Sequence, residues 1–315
     1  MVFGQVVVGY AGSGKTTYVH AAASYLRALG RDVCVVNVDP AAEENSRKQQ
    51  EETGEAHART FDVDVRHLIR ADDAAREHKL GPNGALIYAA DYLCANSDWL
   101  VEKLRPFVAR NCYFLFDCPG QLELFQSRDS LRGALEAVTK ALSVRWCCLH
   151  LTDSHLCADG FKYVSALLCT LSAMLFFDAP HVCAISKCDL VDASMRREMD
   201  MPFRFYRGGA RGDLTRLADA MEYRHKGLRG THLAQLTRNL LELADDYGLV
   251  SFASLAVEDT RKLARVVALC DRSVGYVPAS DAEGGGGGVS AASLVAGEDS
   301  DDDDDDDDDD LFDDD

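Results

Sequence analysis

The stretch Gly9-Tyr10-Ala11-Gly12-Ser13-Gly14-Lys15-Thr16 fills every specified position of the spacing G-x-x-x-x-G-K-[ST]. Each residue type there has a chemical reason. Glycines let Gly12, Ser13, Gly14 and the turn running into Thr17 offer successive backbone N–H groups to a β-phosphate at a helix N-terminus. Lys15 adds a point charge for the β and γ oxygens, and Thr16 offers a hydroxyl to Mg²⁺. A Gly-rich turn matching by accident would need neither the strand-like run Phe3–Val8 before it nor the helical pattern from Thr17 to Leu29 after it. The combination predicts a nucleoside triphosphate site.

Three further groups extend that chemistry. Asp39 closes the β-branched run Asp32–Asp39 ahead of Pro40, where it is either the cap of the next turn or a ligand-side carboxylate next to Mg²⁺ and the attacking water. The strand Cys112–Phe116 runs into Asp117-Cys118-Pro119-Gly120-Gln121-Leu122-Glu123. Asp117 can reach the Mg²⁺ shell through water, the Gly120 N–H can contact the γ-phosphate, and Gln121 and Glu123 stand where an in-line water could be held; the alternative is an ordinary helix N-terminal turn. Ser186-Lys187-Cys188-Asp189, at the end of strand His181–Ile185, has the K-x-D spacing in which a carboxylate pairs with guanine N1–H and the 2-amino group, donors that adenine lacks, while Lys187 lies along the base and braces the phosphate loop. A chance turn of the same spacing is the alternative.

The elements that must hold these groups form an α/β pattern: a three-layer P-loop NTPase with a mostly parallel sheet flanked by helices over residues 1–277. Residues 41–60 are polar, lack apolar periodicity, and read as a surface insertion. Val63–Ile69 is a short amphipathic run. Gly81-Pro82-Asn83-Gly84 reads as a tight turn before one long helix, Ala85–Ala109, and such a turn can also present backbone groups to a partner. Helices are expected at Leu122–Leu142, Phe161–Phe177, Thr231–Tyr247 and Glu258–Val274, and strands at Trp146–Thr152 and Leu249–Leu255; residues 191–247 form a helical insertion. His155 has no His or Cys at ligand spacing and reads as structural or loop-lining.

The 315 residues carry a formal charge of −19, but 17 acidic groups lie in residues 281–315, leaving the body near balance at −2. A body so close to neutrality gives no electrostatic argument for binding nucleic acid through a basic face. Residues 278–315 hold five consecutive glycines, then Asp301–Asp310 and Leu311-Phe312 set in acid; like charge at that density predicts a disordered tail, inert or docking its apolar pair in a groove. The eleven cysteines include no C-x-x-C pair, and Cys34, Cys112, Cys147, Cys148 and Cys183 sit in apolar runs, which predicts reduced thiols in a reducing compartment. No apolar stretch is long enough for a bilayer, so a soluble intracellular protein with no membrane partner is expected.

Taken in order, Gly9–Thr16, Val36–Pro40, Gly81–Asn83, Asp117–Glu123 and Ser186–Asp189 resemble the GPN-loop GTPases over roughly residues 3–277, most of all their second eukaryotic paralogue. The resemblance implies a GTP/GDP-binding, Mg²⁺-dependent GTPase, acting as a homodimer or a heterodimer with a paralogue. In it Gly81, Pro82 and Asn83 of one subunit reach the other's nucleotide, Gln121 and Glu123 position the nucleophile, and Asp39 assists. It also implies partners among RNA polymerase II subunits or assembly factors, and a cytoplasmic protein that shuttles to the nucleus. Competing expectations are an ATPase of the ParA/ArsA type, which typically has a second lysine where Tyr10 stands; a small-molecule kinase with an arginine lid in 196–211; and a GTP-binding scaffold with little hydrolysis.

Overall fold

The computed structural model describes residues 2–42, 60–121, 130–209, 214–247 and 250–277. Contacts divide the chain into two units, Met1–Thr152 with Thr170–Val182, and Asp153–Cys169 with the chain from Cys183.

In the first unit the apolar runs become parallel strands in the order β3-β2-β4-β1-β5: β1 Val2–Gly9, β2 Val33–Asn37, β3 Val63–Asp64, β4 Tyr113–Asp117 and β5 Val144–Asp153, whose last residue belongs to the second unit. Both faces are covered, as β-branched runs without alternation require. On one face lies α1 (Lys15–Ala28), burying Tyr18, Val19, Ala22, Ala23 and Leu26, the spacing of a single helical stripe. On the other, Val6, Val8, Val36, Phe114, Phe116 and Cys148 meet leucines of α3 (Pro82–Ala95), α4 (Ser97–Ala109) and α5 (Ser130–Leu142) in one core cluster.

Register places the chemistry. Val7 pairs with Asp117 and Asn37 pairs with Asp117, so the C-terminal ends of β1, β2 and β4 end level. The phosphate loop, Asp39 and the Asp117–Gln121 segment therefore emerge side by side, at the strand ends where open α/β sheets bind ligands.

The expected long helix Ala85–Ala109 is two helices. Asn96 (φ −111°, ψ 31°) ends α3 and starts α4, and its Nδ2 donates to the Tyr92 carbonyl, competing with continuation. The Gly-Pro-Asn stretch is not a free-standing turn either: Gly81 is the N-cap and Pro82 opens α3, a position where the missing N–H costs nothing. Val63–Ile69 splits into β3 and a 3₁₀ turn, Val65–His67. A helix α2, Ala71–His78, follows. β5 starts at Val144, two residues before the expected Trp146. Of the expected helix Leu122–Leu142, residues 122–129 lie outside the described residues, as do 43–59 and 278–315.

The second unit holds β6 (His181–Ser186, from Cys183 on) parallel to β7 (Phe252–Ser254); of the expected strand Leu249–Leu255, Leu249 lies outside the described residues, and Val250, Ser251 and Leu255 are not in the strand. α6 (Gly160–Phe176) begins in this unit, and α7 (Ala193–Glu198), a π turn (Phe205–Gly209), α8 (Thr215–Arg224), α9 (His232–Tyr247) and α10 (Thr260–Val274) complete it. Its core is aromatic: the Tyr163 ring meets Tyr206 edge-on at 4.8 Å and Phe252 at 6.2 Å. Arg238 of α9 pairs with Asp219 (2.6 Å) and Glu222 (3.2 Å) of α8, tying the two helices together. α7 and α8 were not legible in 191–226, where few apolar residues mark a face. No helix among the described residues is long and apolar enough to cross a membrane.

Candidate functional site

Gly9, Gly12 and Gly14 all have positive φ (143°, 82° and 87°), backbone that L side chains rarely adopt. They differ in surroundings. A Cβ on Gly9 would stand 2.3 Å from the Leu151 carbonyl oxygen and 2.8 Å from Ser13 Oγ, whereas Gly12 and Gly14 would meet nothing within 4 Å. The first glycine seats the loop against β5, and the other two curl it round open space. α1 starts at Lys15 without a side-chain cap. Its first N–H groups, at Lys15, Thr16 and Thr17, are those that a phosphate would satisfy.

Lys15 is buried, and its Nζ donates to the carbonyls of Gly9 (3.1 Å) and Tyr10 (2.8 Å). Burial pushes its pKa down, opposed chiefly by the negative charge of Asp117 and, to a lesser extent, of Asp39. Gly120 abuts the same loop: a Cβ there would stand 2.7 Å from Ala11 Cα, 2.8 Å from Ala11 N and 3.0 Å from Lys15 Nζ. Only a glycine lets this backbone reach the phosphate loop.

Thr16 Oγ1 donates to Asp117 Oδ2 at 2.7 Å, and Asp117 is buried. A hydroxyl and a carboxylate side by side at the loop are the hard oxygen donors that Mg²⁺ takes, with phosphates and water completing its shell. Among the described residues no cluster of three or more His, Cys, Asp or Glu side chains forms a site for a metal ion held by protein alone. The adjacent Thr16 hydroxyl and Asp117 carboxylate fit a Mg²⁺ brought by the nucleotide.

Asp39 sits beyond the end of β2, and its Oδ1 accepts from the Ala41 N–H at 2.9 Å, the capping arrangement. Burial pushes its pKa up, while the Ala41 hydrogen bond and the charges of Lys15 and Arg66 pull it down; the net shift is upward. What holds it is Asn37, fully buried: its Oδ1 accepts from the Asp39 N–H (2.9 Å), and its Nδ2 donates to the Asp39 carbonyl (3.1 Å) and to Asp64 Oδ1 (2.9 Å). Burial alone would raise Asp64, but its hydrogen bonds from Arg66 hold it below the usual carboxylate value. Sequence reasoning gave Asn37 no role, although a lone amide between Val36 and Val38 was the signal. It also missed the buried chain in which Tyr18 donates to Gln5 (2.8 Å) and Gln5 to Tyr113 (3.0 Å), fastening α1 under the loop at about 1 kcal/mol per bond.

Gln121 follows Gly120 half-buried, while Glu123 lies outside the described residues. Gly81, Pro82 and Asn83 are exposed, and among the described residues no hydrogen bond joins them to the phosphate loop.

In the second unit Lys187 adopts φ 59°, and its Nζ donates to Asp153 Oδ2 at 2.6 Å. Both partners of this ion pair belong to the second unit. The Lys187 carbonyl accepts from buried Ser154, and Asp189 is exposed in the 3₁₀ turn Cys188–Leu190. Ser154 and Asp153 thereby fasten the 186–189 turn, a role not anticipated for Asp153-Ser154-His155; His155 itself is exposed in the 3₁₀ turn Ser154–Ala158. All eleven cysteines are free, and those expected in the strands are buried.

A family described as conserved hypothetical ATP binding protein matches residues 7–276. The GPN-loop GTPase QQT1 of Arabidopsis thaliana is 38% identical over 277 residues, covering 88% of this chain and 86% of the relative. GPN-loop GTPase 2 of Danio rerio is 38% identical over 274 residues (87% and 81%), and that of Saccharomyces cerevisiae is 33% identical over 278 residues (88% and 76%). A crystal structure of an apo GTPase from Pyrococcus abyssi superimposes with a TM-score of 0.66 over 86% of this chain and 97% of that one, at 21% identity, a likeness of fold. With the phosphate loop, the Thr16–Asp117 pair and the glycine contact at Gly120 in place, the chain belongs to the GPN-loop GTPases, in the branch of GPN-loop GTPase 2.

Proposed function

We propose that this chain hydrolyses GTP to GDP and phosphate as a dimeric, Mg²⁺-dependent switch. The observation that carries the reading is the convergence on one strand-end edge of Lys15, the Thr16–Asp117 hydrogen bond and the Gly120 backbone. In hydrolysis a water oxygen bonds to the γ-phosphorus as the bond to the β–γ bridging oxygen breaks, and the added negative charge on the equatorial oxygens must be met. Lys15 and the N–H groups of Gly14, Lys15 and Thr16 meet it in this account. Thr16 and Asp117 would hold Mg²⁺, which would supply neutralisation of the phosphates' charge. Asp39, its pKa raised by burial and its backbone pinned by Asn37, would help Gln121 and Glu123 to position the attacking water. Asp189 reads guanine, and the family description naming ATP makes adenine the competing base.

Exposure of Gly81-Pro82-Asn83 at the start of α3 supports a role for them in trans, with Asn83 of one subunit entering its partner's phosphate site. By the same family likeness the client is RNA polymerase II or its assembly factors, met in the cytoplasm and carried toward the nucleus. GTP and ATP turnover by wild type and Asn83→Ala, measured with mass in solution, tests the reading. A GTP-selective dimer whose turnover collapses in Asn83→Ala supports it. A monomer indifferent to Asn83, or one preferring ATP, refutes it.

A further inference from the structure

Helix α9 carries two parallel rows of apolar residues. Ala234, Thr237, Leu241 and Ala244 form the buried row. One residue earlier in each case, about 100° round the helix, run Leu233, Leu236, Leu240 and Leu243 at the same 3-4-3 spacing. Leu233, Leu236 and Leu243 remain 51%, 53% and 49% exposed, and Leu240 is half-buried. The row lies away from α8, because Arg238, which binds Asp219 and Glu222, is on the opposite flank. Solvated leucines scattered singly need no explanation; four in a helical row do.

The neighbouring chain is cationic. Residues 224–232, Arg-His-Lys-Gly-Leu-Arg-Gly-Thr-His, contain three permanent positive charges and no acid. Lys226, Arg229 and His232 are exposed, and neither Lys226 nor Arg229 has an ion-pair partner among the described residues. The acids of the helix, Glu242, Asp245 and Asp246, lie at its far end. This cationic segment runs in sequence directly into the N-terminal half of α9, where the helix dipole also favours anions.

The same chain contains the complementary ligand. Ten aspartates, Asp301–Asp310, are followed by Leu311-Phe312 and three more aspartates at the end. Val277 belongs with α9 to the second unit, and the 34 residues from there to Leu311 allow a reach of at most roughly 110 Å. Tethering at that length gives an effective concentration on the order of millimolar, so two apolar side chains and a few screened charges suffice for occupancy.

We propose that the acidic tail docks on α9 in cis, with Leu311 and Phe312 against Leu233 and Leu236 and the aspartates beside Lys226 and Arg229. The tail then covers the leucine row until a partner with a stronger apolar segment displaces it. This inference stands on the α9 face and does not depend on the GTPase reading.

Hydrogen exchange by mass spectrometry on the full-length protein tests it, comparing wild type with Leu311→Ser/Phe312→Ser and with Lys226→Glu/Arg229→Glu. Exchange over residues 232–244 should speed up by about 3-fold or more in both variants and in 1 M NaCl. Exchange in α10 should stay unchanged, showing that the fold is intact. Equal exchange in wild type and the Leu311/Phe312 variant overturns the proposal. So does protection of α9 that rises with protein concentration and ignores the tail, which would assign the face to a second copy.

Discussion

Replacing Gly120 by alanine should disable the site while leaving the fold standing. The added Cβ would lie 2.7 Å from Ala11 Cα and 2.8 Å from Ala11 N, both backbone atoms, and 3.0 Å from the Lys15 ammonium, where ordinary contact begins at 3.4 Å. Lys15 can swing, but Ala11 cannot rotate out of the way, so the phosphate loop must retreat by about 0.7 Å. A displacement near 1 Å at a catalytic cradle costs up to about 100-fold, so kcat/KM for GTP should fall by roughly 30- to 100-fold. Overpacking of this kind costs about 1–3 kcal/mol of stability, a drop of several degrees in Tm rather than unfolding. The assay is phosphate release and fluorescent-nucleotide titration beside thermal unfolding, with Gly227→Ala as control, since a Cβ there meets nothing within 4 Å. Gly120→Ala turnover within 2-fold of wild type would refute the close-approach argument.

Thr16→Val removes the hydroxyl that binds both Asp117 and the proposed Mg²⁺. The Mg²⁺ concentration for half-maximal turnover should rise by about 10-fold or more, with about 1–3 kcal/mol lost from the hydrogen bond to buried Asp117. Asn37→Ala frees Asp39 on both its N–H and C=O sides; kcat should fall by about 10-fold with little change in nucleotide Kd, and equal losses in both would mean general unfolding. Acid should destabilise the first unit through His150 and His181, whose rings lie 6.4 Å apart and whose buried nitrogens have no hydrogen-bond partner among the described residues. Burial pushes His150 down to about 3, helped by the charges of His181 and Lys15, and burial pushes His181 down to about 4. Because the unfolded chain then binds more protons than the folded one, stability is intact above the ordinary histidine value of 6.5 and is lost as pH falls from there toward 4 and 3. At pH 5 the loss is about 2 kcal/mol for each histidine. Denaturant unfolding of wild type and His181→Phe from pH 7 to 5 checks it, the variant losing about half as much.

Much of the fold was legible because its signals are local. A β-branched run such as Val33–Val36 can only be a strand buried on both faces, and Gly9–Thr16 needs its glycines for positive φ that the structure shows at Gly9, Gly12 and Gly14. That Thr16 and Asp117 stand at neighbouring strand ends was also readable, since both motifs follow strands of one parallel sheet, but their direct hydrogen bond was not. What escaped the sequence is long-range. Nothing near Gly120 announces Ala11, and nothing near Asn37 announces Asp64, because both contacts depend on which strands become neighbours. The break at Asn96 was hidden by apolar residues that keep helical spacing across it, so periodicity joined two helices that a side-chain bond to Tyr92 separates. Nothing near Lys187 announces Asp153, thirty-four positions away, which accepts from its ammonium. The second row of leucines on α9 was concealed by the first, since a helix rich in leucine shows its buried face only when packed.

The central claim is that one phosphate loop, built round Lys15, binds and cleaves GTP. Its most direct test is single-turnover hydrolysis of GTP and of ATP by the purified full-length chain and by Lys15→Ala, with Mg²⁺ present and absent. The account predicts GTP cleavage that requires Mg²⁺, far exceeds that of ATP, and disappears in Lys15→Ala. Cleavage of ATP at the same rate, or GTP cleavage that survives the loss of Lys15, would contradict it.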